Sequence, residues 1–182
     1  MDKIINQKVS LKCTPTEAFQ LFTQNKYLES WLTAAADVEP TVGGKYELFW
    51  KPDDRENDST IGCKVLAVQD GSFINFEWKG PQQYNQFMNT RRPFTNVMVT
   101  FAKRDTFTDV QLIHTGWGEG SEWDEARQWF EKAWSMSFAE LPKVAAKEFP
   151  QFYNLLNTKI WRGLLMYIPT LYFSSPGIIS SR

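Results

Sequence analysis

The sequence predicts an α+β domain, and three observations carry that reading. Apolar residues recur at helical spacing early in the chain. After Gly43-Gly44 they switch to strict alternation and hold it through about six strand-like segments with no helix-length pattern between them. A glycine-rich turn at Gly116, Gly118 and Gly120 then gives way to about twenty residues without glycine or proline, which predicts one long helix. Helices grouped around an uninterrupted antiparallel sheet mean α+β rather than alternating α/β architecture. The domain is expected over residues 1–150, with 151–182 as an apolar C-terminal extension.

In order along the chain, residues 4–11 alternate Ile5, Val9 and Leu11 with polar neighbours and form the opening strand. Thr14-Pro15-Thr16-Glu17 combines an N-cap threonine, proline at the first helical position and glutamate at the capping-box position, so a short helix follows through Ala18, Phe19, Leu21 and Phe22. A second short helix is predicted from about Asn25, because Tyr27, Leu28, Trp31 and Leu32 recur at three and four. Beyond the Gly43-Gly44 turn, Tyr46, Leu48 and Trp50 share one strand face.

Residues 53–59 are a polar hairpin loop; they lack the glycine and terminal glutamate of a calcium loop. Residues 61–68 and 72–78 are strands joined at Asp70-Gly71, with Ile74, Phe76 and Trp78 on one face of the second. Residues 80–94 read as a long irregular loop of the kind that forms a lid or rim. Val97, Val99 and Phe101 mark the next strand, and residues 107–115 the last, with Val110, Leu112 and His114 facing inward. The long helix takes Ser121 as its N-cap, and Trp123, Ala126, Phe130, Trp134, Ser137 and Leu141 fall on one stripe. Pro142 is expected to kink that helix or end its first half.

Composition sets bounds. At 182 residues, 42% hydrophobic and 23% charged, the chain can bury roughly 70% of its unfolded surface without staples. A net charge of -1 with no block of like charge argues against a nucleic-acid partner. Cys13 and Cys63 sit in apolar runs read as strands and are expected as buried reduced thiols, a disulfide between them being the alternative. Met1-Asp-Lys-Ile opens no signal pattern and no apolar run reaches the roughly 18 residues of a membrane span, so the expectation is a cytoplasmic protein. Aromatic residues make up 15%, including 8 Trp, which suits either the walls of a cavity or bulky core filling.

Particular residues carry a family resemblance. They are Pro15 and Ala18 to Phe22; Leu28 and Trp31; Val42-Gly43-Gly44-Lys45-Tyr46; Gly62, Val65 and Leu66; and Phe76 and Trp78. The most specific are Leu112-Ile113-His114-Thr115-Gly116-Trp117 paired with Trp134-x3-Phe138-x2-Leu141 on the long helix. Spread over residues 5–148, they resemble the activator of heat-shock-protein-90 ATPase homologue-like (AHSA-type) family of the START-like, or SRPBCC, helix-grip superfamily. The resemblance implies a curved antiparallel sheet of about six to seven strands wrapped around a long C-terminal helix, two short helices after the first strand, and a cavity between sheet and helix. Superfamily relatives bind lipids, plant hormones or polyketides, a few are cyclases, and the founding eukaryotic relative stimulates a chaperone's ATPase; fold alone does not choose among these.

The chain departs from the family beyond about residue 150. Residues 160–173 are strongly apolar yet too short to span a bilayer. They pack within the chain or across a homodimer, lie on a membrane surface, or form a disordered extension. Trp129 and Met136, on the back of the long helix, are the docking strip the sequence offers them.

Site chemistry is sparse. His114 is the only histidine, which excludes His-pair schemes and histidine-rich metal sites, and on an apolar strand face it reads first as a satisfied core imidazole. There is no Gly-x-Ser-x-Gly elbow, and Gly116-x-Gly118-x-Gly120 lacks the context of a phosphate loop. Glu47, Glu77 and Glu122 are expected on solvated surface, as are Arg127 and Arg91-Arg92, although these arginines could greet an anionic headgroup.

The first functional expectation is therefore non-enzymatic binding of a hydrophobic or amphipathic small molecule, with no cofactor and no metal. Parity points Trp31, Tyr46, Leu48, Trp50, Phe76, Trp78, Leu112, His114, Phe130 and Trp134 at one interior, His114 and Tyr46 being the polar orienters. The alternatives are a protein-interaction module with a chaperone partner and a cyclase or lyase on the same scaffold. The last needs an acid/base pair, of which only His114 can be named.

Overall fold

A computed structural model describes residues 3–90 and 92–150. The extension 151–182 and Arg91 lie outside the described residues. In chain order the elements are β1 (Ile5–Leu11), α1 (Pro15–Thr23), α2 (Asn25–Trp31), β2 (Ala35–Val38), β3 (Tyr46–Phe49), β4 (Val65–Gln69) and β5 (Phe73–Trp78). After a 3-10 turn at Gln82–Tyr84 come α3 (Asn85–Met88), β6 (Thr95–Arg104), β7 (Phe107–Thr115) and α4 (Ser121–Glu148).

Five strands form an antiparallel sheet in the order β1-β7-β6-β5-β4, and β2 pairs with β3 in a second sheet. The two are stitched together where the chain leaves the Gly43-Gly44 turn: the Val65 amide donates to the Gly44 carbonyl at 2.9 Å and the Tyr46 amide to Cys63 at 3.0 Å. Gly44 is obligatory there, because a Cβ would collide with the Glu39 carbonyl oxygen. Further along, the buried Thr60 side chain replaces a missing ladder partner. Its hydroxyl accepts from the Leu48 amide at 2.8 Å and donates to the Tyr46 carbonyl at 2.9 Å.

Local chemistry explains the rest. The Thr14–Glu17 capping box is fully formed at the start of α1. Along β6 and β7 inward residues alternate with outward ones, and registers such as Val97 opposite His114 and Val99 opposite Leu112 stack them into one apolar face. α4 lies across that face and buries Ala126, Phe130, Trp134, Phe138, Leu141 and Ala145. The α1–α2 pair closes one end, with Phe22 edge-on to Trp31, at 5.0 Å between ring centroids, and to Phe101, at 5.5 Å.

Several expectations are corrected. Gly120, not Ser121, caps α4, since its φ of 106° suits glycine and Ser121 is already helical. Pro142 does not end the helix, which continues to Glu148 because buried Leu141 and Ala145 hold both sides of the proline to the core. The strand expected from 61 starts only at Val65, because Ile61-Gly62 is a turn in which Gly62 has φ 79°. β2 was not foreseen: Ala35–Val38 is half-buried throughout and carries no alternation.

The 80–94 segment holds a 3-10 turn and α3, clamped at its root by Asn89, whose side-chain amide bonds both the amide and the carbonyl of Gly80 at 2.8 Å. Cys13 and Cys63 are buried and free, but Cys13 sits in a bend and Cys63 just past the Ile61-Gly62 turn, not in strands. Glu77 is buried rather than solvated, its two oxygens taken by Arg92 at 2.9 Å and the Lys64 amide at 3.1 Å.

Candidate functional site

His114 stands at the inner end of β7 with no exposed surface. Its Nδ1 accepts from the indole Nε1 of Trp134 at 3.2 Å, and an indole N–H only donates, so Nδ1 carries no proton. The ring proton therefore sits on Nε2 and is donated to Thr95 Oγ1 at 2.9 Å, and that hydroxyl in turn donates to the Trp78 carbonyl at 2.9 Å. Every polar atom in this chain of bonds is satisfied by a neutral imidazole. Burial pushes the imidazole pKa down from 6.5 to about 3, because a charge there has no water.

This relay fixes two tryptophans, and both line a pocket of about 330 Å³ between the sheet and α4. Trp78, at the end of β5, and Trp134, on α4, form its inner wall, with ring centroids 4.9 Å apart. Phe130, Trp129, Ala133 and Ser137 supply the helix side, and Leu32, Trp50 and Pro81 the opposite side. Trp50 follows the last residue of β3 and is anchored by its Nε1 donating to the Leu32 carbonyl at 2.8 Å. Polar groups collect where Lys51, Asp58, Ser59 and Lys79 line the cavity. Asp58 accepts from Lys51 at 2.5 Å and from the Gln82 amide at 2.9 Å, and the lysine first, then the amide, hold its carboxyl below the usual range. Among the residues that line the pocket, Trp78 Nε1 is a buried donor without a partner.

Of the ten residues expected to surround a ligand, Trp50, Trp78, Phe130 and Trp134 line this pocket. Tyr46, Leu48, Phe76 and Leu112 are packed into the core, with Tyr46 stacked on Phe76 at 3.6 Å and its hydroxyl donating to the Phe22 carbonyl at 2.9 Å. Trp31 is partly buried against the same core and donates to the Leu21 carbonyl at 2.9 Å. His114 lies behind the wall rather than in it. Trp129, Ala133 and Ser137 were missed as lining. Trp129 and Ala133 lie four residues apart beside the main stripe, and Ser137, already on that stripe, follows Ala133 by four, so the row of a large residue then two small ones was the available signal. Among the described residues no group of three or more His, Cys, Asp or Glu stands together to hold a metal, and no helix is long and apolar enough to cross a membrane.

A family model described as activator of Hsp90 ATPase homolog 1-like protein matches residues 12–146, well over half of the 182 residues. The chain belongs to that family. Solved structures show the same helix-grip fold. Protein MLL2253 from Mesorhizobium loti is 18% identical, with a TM-score of 0.62 over 79% of this chain and 97% of that one. The Aha1 dimer from Colwellia psychrerythraea is 16% identical, with a TM-score of 0.60 over 78% of this chain and 95% of that one. PFC0360w from Plasmodium falciparum, described as an HSP90 activator, is 19% identical, with a TM-score of 0.56 over 75% of this chain and 91% of that one. No curated protein sequence matched. Within this family member the matched span stops before the end of α4, so the apolar extension falls outside it.

Proposed function

We propose that this chain binds a hydrophobic or amphipathic small molecule in the pocket between β5 and α4. The observation that carries the reading is the pocket itself. At about 330 Å³ it falls within the range of small-ligand sites, and five aromatic rings, Trp50, Trp78, Trp129, Phe130 and Trp134, line it beside a few polar groups. Lys51 and Lys79 favour an anionic or acceptor-rich end on the ligand, although Asp58 offsets part of that charge. The titratable side chains lining the pocket are Lys51, Asp58 and Lys79, and His114 does not reach it, which favours binding over acid/base turnover.

The test is a fluorescence titration with anilinonaphthalene sulfonate, an anionic aromatic probe. Saturable binding to the wild-type chain is expected, with loss of at least tenfold in affinity for Ala133→Trp, which places an indole in the cavity without touching the core stripe. Equal binding by the two proteins sinks the assignment.

The HSP90-activator relative and the family description support a second reading, a module that docks on a chaperone. Exposed Trp129 and Met136 on one side of α4 are the surface it would use. A chaperone ATPase rate unchanged by saturating amounts of this protein rejects it.

A further inference from the structure

One ring in the pocket wall carries a hydrogen-bond donor with nothing to bond. Trp78 is 2% exposed, and its Nε1 is sealed from solvent without an acceptor among the described residues. Other indoles are provided for: the N–H groups of Trp31, Trp50 and Trp117 donate to the carbonyls of Leu21, Leu32 and His114, and that of Trp134 to His114 Nδ1. Trp78 is also held from behind, because its carbonyl accepts from Thr95 in the His114 relay. A buried N–H left unmade costs free energy that a phenylalanine in its place would avoid, so an indole here points to an acceptor that arrives from outside the chain.

The charges in the lining select the kind of acceptor. Lys79, the next residue in the chain and also in the lining, gives one ammonium hydrogen to the Ile61 carbonyl at 2.6 Å and keeps two. It makes no ion pair among the described residues. Asp58, the one carboxylate in the lining among the described residues, is already matched by Lys51 at 2.5 Å and by the Gln82 amide at 2.9 Å. The lining is left with one uncompensated positive charge and a surplus of donors.

Access comes from one side. Trp50, Phe76, His114, Phe130 and Trp134 surround Trp78, at 4.9–6.5 Å between ring centroids. Four of these rings are buried, whereas Trp50 is 38% exposed, follows the last residue of β3 and is tethered by its bond to the Leu32 carbonyl. Trp50 is therefore the ring that yields when an acceptor enters from the pocket. Given the small-molecule reading, on which this step rests, we propose that the pocket is a site for a carboxylate carried on an aromatic or alkyl body. One carboxylate oxygen accepts from Trp78 Nε1, Lys79 supplies the opposite charge, and the apolar body lies against Trp129 and Phe130.

Two probes with one apolar body and opposite polar ends test this: 2-naphthoate and 2-naphthylmethylamine, each titrated against anilinonaphthalene sulfonate on the full chain. The wild type is expected to prefer the carboxylate by about tenfold or more. Trp78→Phe and, separately, Lys79→Met are each expected to reduce that preference several-fold. Because the preference compares two probes on one protein, a general loosening of the pocket in a variant lowers both affinities and leaves their ratio unchanged. The direct readout is the indole N–H resonance of Trp78 in a proton–nitrogen correlation spectrum, identified by its loss in Trp78→Phe. Saturation with 2-naphthoate is expected to move it downfield, and by more than the amine does.

Equal affinity for the two probes overturns the proposal. So does a preference that Trp78→Phe leaves intact, or a Trp78 resonance that the carboxylate does not move. If one of these results appears while Ala133→Trp still abolishes binding of anilinonaphthalene sulfonate, the pocket reading stands and the carboxylate assignment alone falls. A wild-type chain that binds none of the three probes removes both.

Discussion

Acidification should destabilise this protein through one residue before its carboxylates titrate. An imidazole that takes its proton at pH 6.5 when unfolded and at about 3 when folded leaves the native state with fewer bound protons throughout that window. Stability then falls as pH falls below 6.5, at roughly 1.4 kcal/mol per pH unit, and the loss is complete below about 3. From pH 7 to pH 5 the loss is about 2 kcal/mol. His114 is the only histidine, so no other side chain contributes a normal imidazole titration there.

The perturbation is His114→Gln, whose amide retains a donor for Thr95 and cannot titrate. Urea unfolding of both proteins at pH 7, 6 and 5 gives the difference in stability, in which carboxylate contributions common to the two cancel. At pH 7 the variant should be weaker by about 1–3 kcal/mol, because the Trp134 indole N–H loses its acceptor. That deficit should shrink by about 2 kcal/mol at pH 5, where the wild type bears the proton penalty and the variant does not. A deficit independent of pH refutes the neutral, buried imidazole and the bond pattern built on it.

Two further predictions follow from buried groups. Tyr46→Phe removes the hydroxyl that donates to the Phe22 carbonyl, and should cost about 1 kcal/mol in urea unfolding while leaving probe binding unaltered, since Tyr46 does not line the pocket. Burial raises the Cys13 and Cys63 thiols to about 12, so both should react with a thiol-specific disulfide reagent at pH 8 only as fast as the protein unfolds, and immediately in denaturant.

The fold was legible wherever a local rule had little competition. Thr14-Pro15-Thr16-Glu17 specifies its helix start by bonds confined to four residues, and the Val97-Val99-Phe101 and Val110-Leu112-His114 parities place whole strands. Elements resting on tertiary support were not legible. Ala35–Val38 becomes a strand because β3 pairs with it, and Pro142 stays helical because its flanks are buried. The site was half legible for a related reason. Parity directs a side chain inward but does not say whether the space there is filled. Tyr46, Leu48, Phe76 and Leu112 face the interior and fill it, whereas space remains where β3 ends, so that Trp50 leaves its strand, and where the flank of α4 offers Ala133 and Ser137.

His114 serves the pocket from behind, and that placement separates two pH dependences that a ligand-contacting histidine would join. The imidazole holds Trp134 through Nδ1 and the Trp78 carbonyl through Thr95, so a native molecule keeps both walls in place as long as the ring stays neutral. With its pKa near 3, the ring remains neutral in folded protein across pH 7.5 to 5.5, and the depressed carboxyl of Asp58 keeps its ion pair with Lys51 over the same range. Probe affinity should therefore be flat across that interval, although stability drops by about 1.4 kcal/mol from proton linkage at the lower end. An affinity that declines with a midpoint near 6.5 would place a solvent-reachable imidazole in the binding site and reverse the assignment of His114 to the supporting layer.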